Sequence, residues 1–389
     1  VGQFPRDIRY GIPDAKYGQE NNRPTRTKEK PANPTIMKKK IFYFVASLGL
    51  ALSAVPAFAS SIITSVSSVP QGMMSLSLPS GTTSNIALPL TASTVYTGTV
   101  TSVTPSTVGV SGSPFGSSLE KPGSPYFVEF LSGSEVGRIM LVTANTASTL
   151  TLDTTDNGAS WTTVPLTCAN FSVQAGDQFE IFPGETLASA FGTGASGSPL
   201  VLAGGTSAST ADQVTLNRAS CLTASTYYFN TTSGYWVQTG STANANNTIV
   251  YPYTGITVLR PSGGSTETMT VLGQVATVGA TFKMISHAWT SNSSHCAVGI
   301  KLSQLNLGAA WLKSNTSSAA DMLCVWSQAQ GQFLNFYEDA SSNWHIIGNP
   351  SVNQNSFVIT PGNVISLGDT AYTSGAQDFV ADAMPYSLQ

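Results

Sequence analysis

Imidazole chemistry has only His287, His295 and His345 to draw on. A Ser/His/Asp triad would find hydroxyls throughout the chain, and Asp321 or Asp369 could orient the ring. No Gly-x-Ser-x-Gly elbow is present to hold a nucleophile, and Gly194-Ala195-Ser196-Gly197 misses its spacing. His287 and His295 lie in a Ser/Asn-rich stretch without zinc-site spacing. The expectation is ordinary surface or strand histidines, with no catalytic residue, metal or cofactor. A glycosidase would need two carboxyls held either ~5–5.5 Å or ~6.5–9.5 Å apart. Glu129, Glu135, Glu180, Glu185, Glu267 and Glu338 are too dispersed for sequence to pair any two. Glu129 and Glu180 lie in strand patterns and are expected to face solvent. Asp153-Thr154-Thr155-Asp156-Asn157-Gly158 offers oxygen ligands but lacks the spacing and terminal Glu of a calcium hand. It reads as an Asx-type turn.

Cys168, Cys221, Cys296 and Cys324 are even in number, which in an exported chain allows two disulfides and three connectivities. Cys296 with Cys324 would close the shorter loop; buried thiols are the alternative. The aromatic blocks are the most distinctive chemistry: Tyr227-Tyr228-Phe229 with Tyr235-Trp236, and Phe333, Phe336 and Tyr337 with Trp344. On a hairpin, Tyr228, Tyr235, Trp236, Tyr337 and Trp344 could face outward to stack on sugar rings or form an assembly surface. The alternative, which the pattern favours, is that these rings cap a small β core.

The elements that must position these groups are strands. Period-two alternation recurs at residues 74–78, 96–103, 150–152, 179–181, 255–260 and 268–272, bounded by Gly, Pro, Ser or Asn. Residues 126–130 and 138–142, around Ser132-Gly133-Ser134, read as a hairpin. Helical periodicity is confined to 185–191, stopped by Gly192, and 301–307, stopped by Gly308. The fold class is all-β: antiparallel sandwich- or barrel-like units with one or two short helices, internally duplicated.

Residues 37–59 read as a secretory signal. Lys38, Lys39 and Lys40 precede a mostly apolar run, and Ala57-Phe58-Ala59 forms a small-x-small cleavage site before Ser60. Ser47, Gly49, Ser53 and Pro56 interrupt the run, which argues against a membrane span. Residues 1–36 are polar and proline-rich and read as translated upstream sequence or a disordered extension. The mature chain, 60–389, is expected to be exported to the periplasm, cell surface or medium, with no transmembrane helix. It holds 92 Ser and Thr but only 7 basic and 16 acidic residues, a net charge of −9. That balance disfavours nucleic acid as a partner.

An offset recurs along the mature chain. Phe229 and Tyr337 differ by 108, Trp236 and Trp344 by 108, and Gly255 and Gly362 by 107. This predicts a β repeat at 184–283 and another at 284–389, behind a non-duplicated β unit at 60–183.

Residues 127–133, then Gly137-Arg138-Ile139-Met140, Thr143-Ala144-Asn145 and 148–153 carry a resemblance. It continues through 176–183, 187–191, 225–230 with Tyr235-Trp236, and 256–260. The stretch resembles an uncharacterised family of secreted, signal-bearing proteins of verrucomicrobial-type bacteria. The resemblance implies secretion and fold continuity but supplies no catalytic residue. The second repeat departs from it, with Leu334-Asn335-Phe336-Tyr337 where a Tyr-rich strand would stand. Three functional readings follow: an exported non-catalytic structural or surface protein that assembles or adheres, a secreted carbohydrate-binding module or glycoside hydrolase, and an outer-membrane β-barrel. Self-association and a cell-surface polysaccharide are the expected partners. The barrel reading is disfavoured by strands of four to eight residues, short of the roughly nine to eleven needed to span.

Overall fold

Alternating side chains make the strands, and burial shows which face each presents. The computed structural model describes residues 70–381, apart from 117, 156–165, 169–170, 218–223, 253, 286–288, 294–295, 309–310 and 371–376. In β1 (Gln71–Leu78), Leu76 and Leu78 are buried while Met73, Ser75 and Ser77 face water. β2 (Thr83–Ile86) follows. The described residues are nearly all β, in antiparallel sheets. None of their helices is long and apolar enough to cross a membrane.

A closed six-stranded barrel comes next in the chain. It is built from β3 (Tyr96–Val103), β4 (Thr107–Val110), β5 (Tyr126–Phe130), β6 (Ile139–Asn145) and β7 (Thr149–Leu152). A short hairpin of β8 (Thr167–Cys168) and β9 (Phe171–Ser172) leads to the last strand, β10 (Gln178–Pro183). The order around the barrel is β10-β3-β4-β7-β6-β5. The expected hairpin at 126–142 is β5 with β6, Phe127 lying opposite Leu141. Val100, Val108, Val128, Phe130, Leu150, Phe179 and Ile181 fill the interior. By strand periodicity Phe127, Glu129, Glu180 and Phe182 project from the outer face.

The other strands make two units whose sheets have a similar strand order. The first comprises β1, β2, β11 (Glu185–Thr186), α1 (Leu187–Phe191), β12 (Gln213–Asn217), β13 (Ala224–Asn230) and β14 (Tyr235–Gln238). It ends with β15 (Ile249–Val250), β16 (Ile256–Leu259) and β17 (Glu267–Gln274). The second begins with β18 (Thr281–Ile285), β19 (Trp289–Ser293), β20 (Ile300–Lys301), β21 (Met322–Ser327) and β22 (Gln332–Glu338). It closes with β23 (Trp344–Ile346), β24 (Asn349–Asn353), β25 (Val358–Ile359), β26 (Val364–Gly368) and β27 (Gln377–Ala381). The first sheet runs β14-β13-β12-β16-β2 and the second β23-β22-β21-β26-β19, with β24 added beyond β23. Each unit also has a two-stranded ribbon, β1 with β17 and β18 with β27, and a short pair, β11 with β15 and β20 with β25.

The match extends to single hydrogen bonds. Asp212 N–H donates to the Ala203 carbonyl and its Oδ2 accepts from Ala203 N–H, both at 2.9 Å. Asp321 does the same with Leu312, at 2.9 and 2.8 Å. Trp236 N–H donates to Asn246 Oδ1 at 2.9 Å, and Trp344 N–H to Asn355 Oδ1 at 2.8 Å. The units touch reciprocally, Ile86 bridging to Asn363 and Thr254 to Asn292, as in an isologous contact.

One boundary needs correction. β1 and β2 were expected within an N-terminal unit at 60–183, yet they pair with β17 and β16 of the first repeated unit. The barrel is therefore an insertion between β2 and β11. Leu76 and Leu78 pack in a cluster with Leu187, Phe191 and Trp236, where each buried large apolar side chain contributes roughly 1.5–3 kcal/mol. The local pattern of β1 demanded a cover without specifying which. The helices also divide. In α1, Thr186 and Ser189 form a capping box, and the helix stops at Gly192 with φ 83°. The stretch expected at 301–307 is only a 3-10 turn, Leu302–Gln304, after which Leu305 is extended. Asn306 and Gly308 are poor helix formers, so little favours continuing the turn.

Candidate functional site

β5 and β10 are neighbours in the barrel and set Glu129 directly opposite Glu180. Both carboxyls leave the outer face, where solvent was expected. Glu129 is instead 3% exposed and Glu180 7%, and the connection from β2 to β3 lies against Glu180. Thr94 Oγ1, in that connection, is 2.6 Å from Glu180 Oε2 and 3.1 Å from Gln274 Oε1. Thr94 N–H donates to the same Gln274 oxygen at 3.0 Å. Among the described residues no hydrogen bond reaches the Glu129 carboxyl. Burial, reinforced by the Glu180 charge, pushes the Glu129 carboxyl up to about 8. The solvent expectation for both residues is thus corrected: alternation chooses a face, but distant chain decides what covers it.

Two carboxyls held in different environments suit acid–base work only where a substrate can enter. A cleft of about 240 Å³ is lined by Leu119, Lys121, Pro125, Leu141, Asn247 and Ile249, and neither glutamate borders it.

A second polar cluster sits on the β22–β23 turn. His345 Nε2 is 3.0 Å from Asp339 Oδ2, so its partner is neither Asp321 nor Asp369. Burial would raise the Asp339 carboxyl, but hydrogen bonds from Asn343, His345 and Ser341 outweigh it and hold the group at about 2. The His345 Nδ1 atom has no hydrogen-bond partner, so no hydroxyl is set up against the ring as a nucleophile. Lys313 Nζ donates to Glu338 Oε1 at 2.7 Å and to Ser342 Oγ at 2.9 Å. Ser342 holds φ 63°, where the corresponding turn of the first unit has Gly234 at φ 75°. Thr94, Gln274, Lys313 and Asp339 carry no spacing that marks them. Ser342 alone had a signal, the 108-residue offset from Gly234.

Of the two readings of the aromatic blocks, the outward one is corrected for Trp236, Tyr337 and Trp344, which lie in the core as the favoured alternative had it. Trp236, Tyr337 and Trp344 are 0%, 4% and 1% exposed, while Tyr228 and Tyr235 are half-buried. Trp236 Nε1 donates to the Gly192 carbonyl at 2.8 Å, and its ring meets Phe191 and Phe229. Trp344 lies beside Trp311. Each ring fills the space between its sheet and the helical turn facing it, which a smaller side chain would leave void. Cys324 is a buried free thiol that donates to Asn335 Oδ1 at 2.7 Å, and burial pushes it up to about 12. The bridge to Cys296, itself buried, is therefore not formed. Cys168 lies in β8. Cys221, the signal residues Ala57, Ala59 and Ser60, His287 and His295 lie outside the described residues. Asp153 Oδ1 accepts from Thr155 N–H and Oγ1 at 2.8 and 2.6 Å, the bonds of an Asx-type turn. Comparison with protein-family models, curated proteins and solved structures finds no match to this chain.

Proposed function

We propose that the chain is an exported, non-catalytic structural or surface protein whose exposed sheet edges associate with further copies of itself. Export rests on the Lys38–Lys40 cluster, the apolar run and the Ala57-Phe58-Ala59 site, and the resemblance to a secreted family agrees with it. The observation that carries the structural reading is the ribbon of β1 and β17. Its outward face sets Met73 opposite Leu272, 73% and 70% exposed, above the hydroxyl pairs Ser75–Thr270 and Ser77–Thr268. An apolar tip on a two-stranded ribbon whose outward face carries no charge invites strand-edge association. Buried titratable groups act as internal ties instead, as with Asp212 and Arg260, or Glu135 and Arg138. Light scattering across a concentration series should show association, and M73K/L272K should hold the chain monomeric. A chain that stays monomeric throughout would sink this reading.

The hydrolase reading draws on the Glu129–Glu180 pair and would need substrate to reach it. A panel of polysaccharides and esters should yield no product; turnover lost in E129Q or E180Q would favour that reading instead. The outer-membrane reading fits poorly with a barrel whose interior is apolar and whose outer face carries Glu129 and Glu180, the reverse of a lipid-facing barrel.

A further inference from the structure

We propose that Glu129 and Glu180, with Thr94 and Gln274, form a binding site for a hard divalent cation, Ca²⁺, at the seam between the inserted barrel and the first unit. Three other buried acids have a counter-charge: Glu135 pairs with Arg138, Asp212 with Arg260 and Glu338 with Lys313; Asp321 lacks one but accepts hydrogen bonds from Leu312 and Thr370. Among the described residues neither Glu129 nor Glu180 has one. The Glu129 carboxyl is 3% exposed, lacks any hydrogen bond there, and faces Glu180 across the ladder.

Counting protons sharpens the point. Thr94 Oγ1 carries one hydrogen yet stands within hydrogen-bond reach of two acceptors, Glu180 Oε2 and Gln274 Oε1. The Thr94 N–H fixes the Gln274 amide with its oxygen toward this group, so no amide proton is supplied there. The cluster holds more acceptor oxygens than donors, and two carboxylates would neutralise a divalent charge.

The donor set also selects the ion. The four side chains offer carboxylate, amide and hydroxyl groups and no imidazole or thiol, which disfavours ions that prefer nitrogen or sulfur. Carboxylate, amide and hydroxyl oxygens suit Ca²⁺, which accepts six to eight oxygens, water among them, in irregular geometry. Mg²⁺ demands a near-ideal octahedron. A bound ion would tie β5 and β10 of the barrel to the β2–β3 connection and the end of β17.

The test is calorimetric titration of the full chain with CaCl₂ after chelator treatment, alongside thermal unfolding in EDTA or in about 10 mM CaCl₂, a level chosen for extracellular sites of Kd ~10⁻⁴–10⁻³ M. Binding in that range with a raised midpoint is expected. E129Q and E180Q should each bind at least ~10-fold more weakly, a loss of about 1.4 kcal/mol, and show no midpoint rise. E120Q, at an exposed acid outside the cluster, should keep both responses. In EDTA, E129Q should be no less stable than the parent, since Gln matches the size of a side chain that makes no hydrogen bond among the described residues; loss of the calcium response then cannot be blamed on misfolding. Absence of both heat and midpoint rise, the result if a shared proton alone fills the seam, overturns the proposal. So does a calcium response that both variants retain in full.

Discussion

The two β units anchor an equivalent aspartate in different ways. Asp212 accepts from Ala203 N–H and from Arg260 Nε at 3.0 Å, while Arg260 Nη1 reaches the carbonyls of Leu78 and Ser265 at 2.6 and 2.8 Å. Asp321 accepts from Leu312 N–H and, in place of an arginine, from the N–H and hydroxyl of Thr370 at 3.0 and 3.2 Å. The first unit thus ties β1, β12 and the start of β17 through one guanidinium, where the second makes do with neutral donors. The difference follows the insertion. In the first unit β1 and β2 are separated from the rest by the whole barrel, and Arg260 bonds directly to the end of β1. In the second unit all strands lie in one stretch of chain.

The largest effect should come from breaking the charged anchor. R260A leaves Asp212 buried without its counter-charge and should cost about 3–5 kcal/mol in urea unfolding. T370V, removing one hydroxyl donor, should cost only about 0.5–1.5 kcal/mol. Equal losses would mean that the guanidinium adds nothing beyond a neutral hydrogen bond.

The hairpin turns offer a smaller contrast. Gly234 and Ser342 both adopt left-handed backbone, where a side chain costs roughly 1–2 kcal/mol. G234S should destabilise by about that amount. S342G should recover less, since the Ser342 bond to Lys313 goes with it. If G234S is neutral while S342G destabilises, side-chain bonding rather than backbone preference governs both turns.

The smallest effect is a pH dependence confined to the second unit. The Asp339 carboxyl is held at about 2, below its ordinary value of 3.8. The stabilisation this provides is present above the unfolded-state value and is lost as pH falls through about 2. Unfolding midpoints of the parent and D339N between about pH 5 and pH 2 should converge at the acid end. Parallel profiles would show that the turn bonds do not discriminate between the charged and neutral carboxyl.

How far the sequence reached can be judged residue by residue. The β5–β6 hairpin was readable because Gly133 and its neighbours interrupt an alternating run. The helix at Leu187–Phe191 was readable because Gly192 ends it. Trp236 and Trp344, 108 residues apart, lie on β14 and β23, and only the structure shows that both rings lie inside. Glu129 and Glu180 were read on the correct strands and in the wrong surroundings. Glu180 is met by Thr94, which is itself bonded to Gln274, 180 residues away in the chain.

What the sequence alone determined is therefore what short-range rules govern: antiparallel strands from period two, turns from Gly and Asn, and low charge from composition. The tertiary structure alone decided that the barrel interrupts the first unit, that β1 pairs with β17, and that two opposed glutamates are sealed together. An alternating strand specifies which face needs burial, and any complementary surface can supply it. Only the closed three-dimensional chain settles which surface does, and with it which carboxyls leave water.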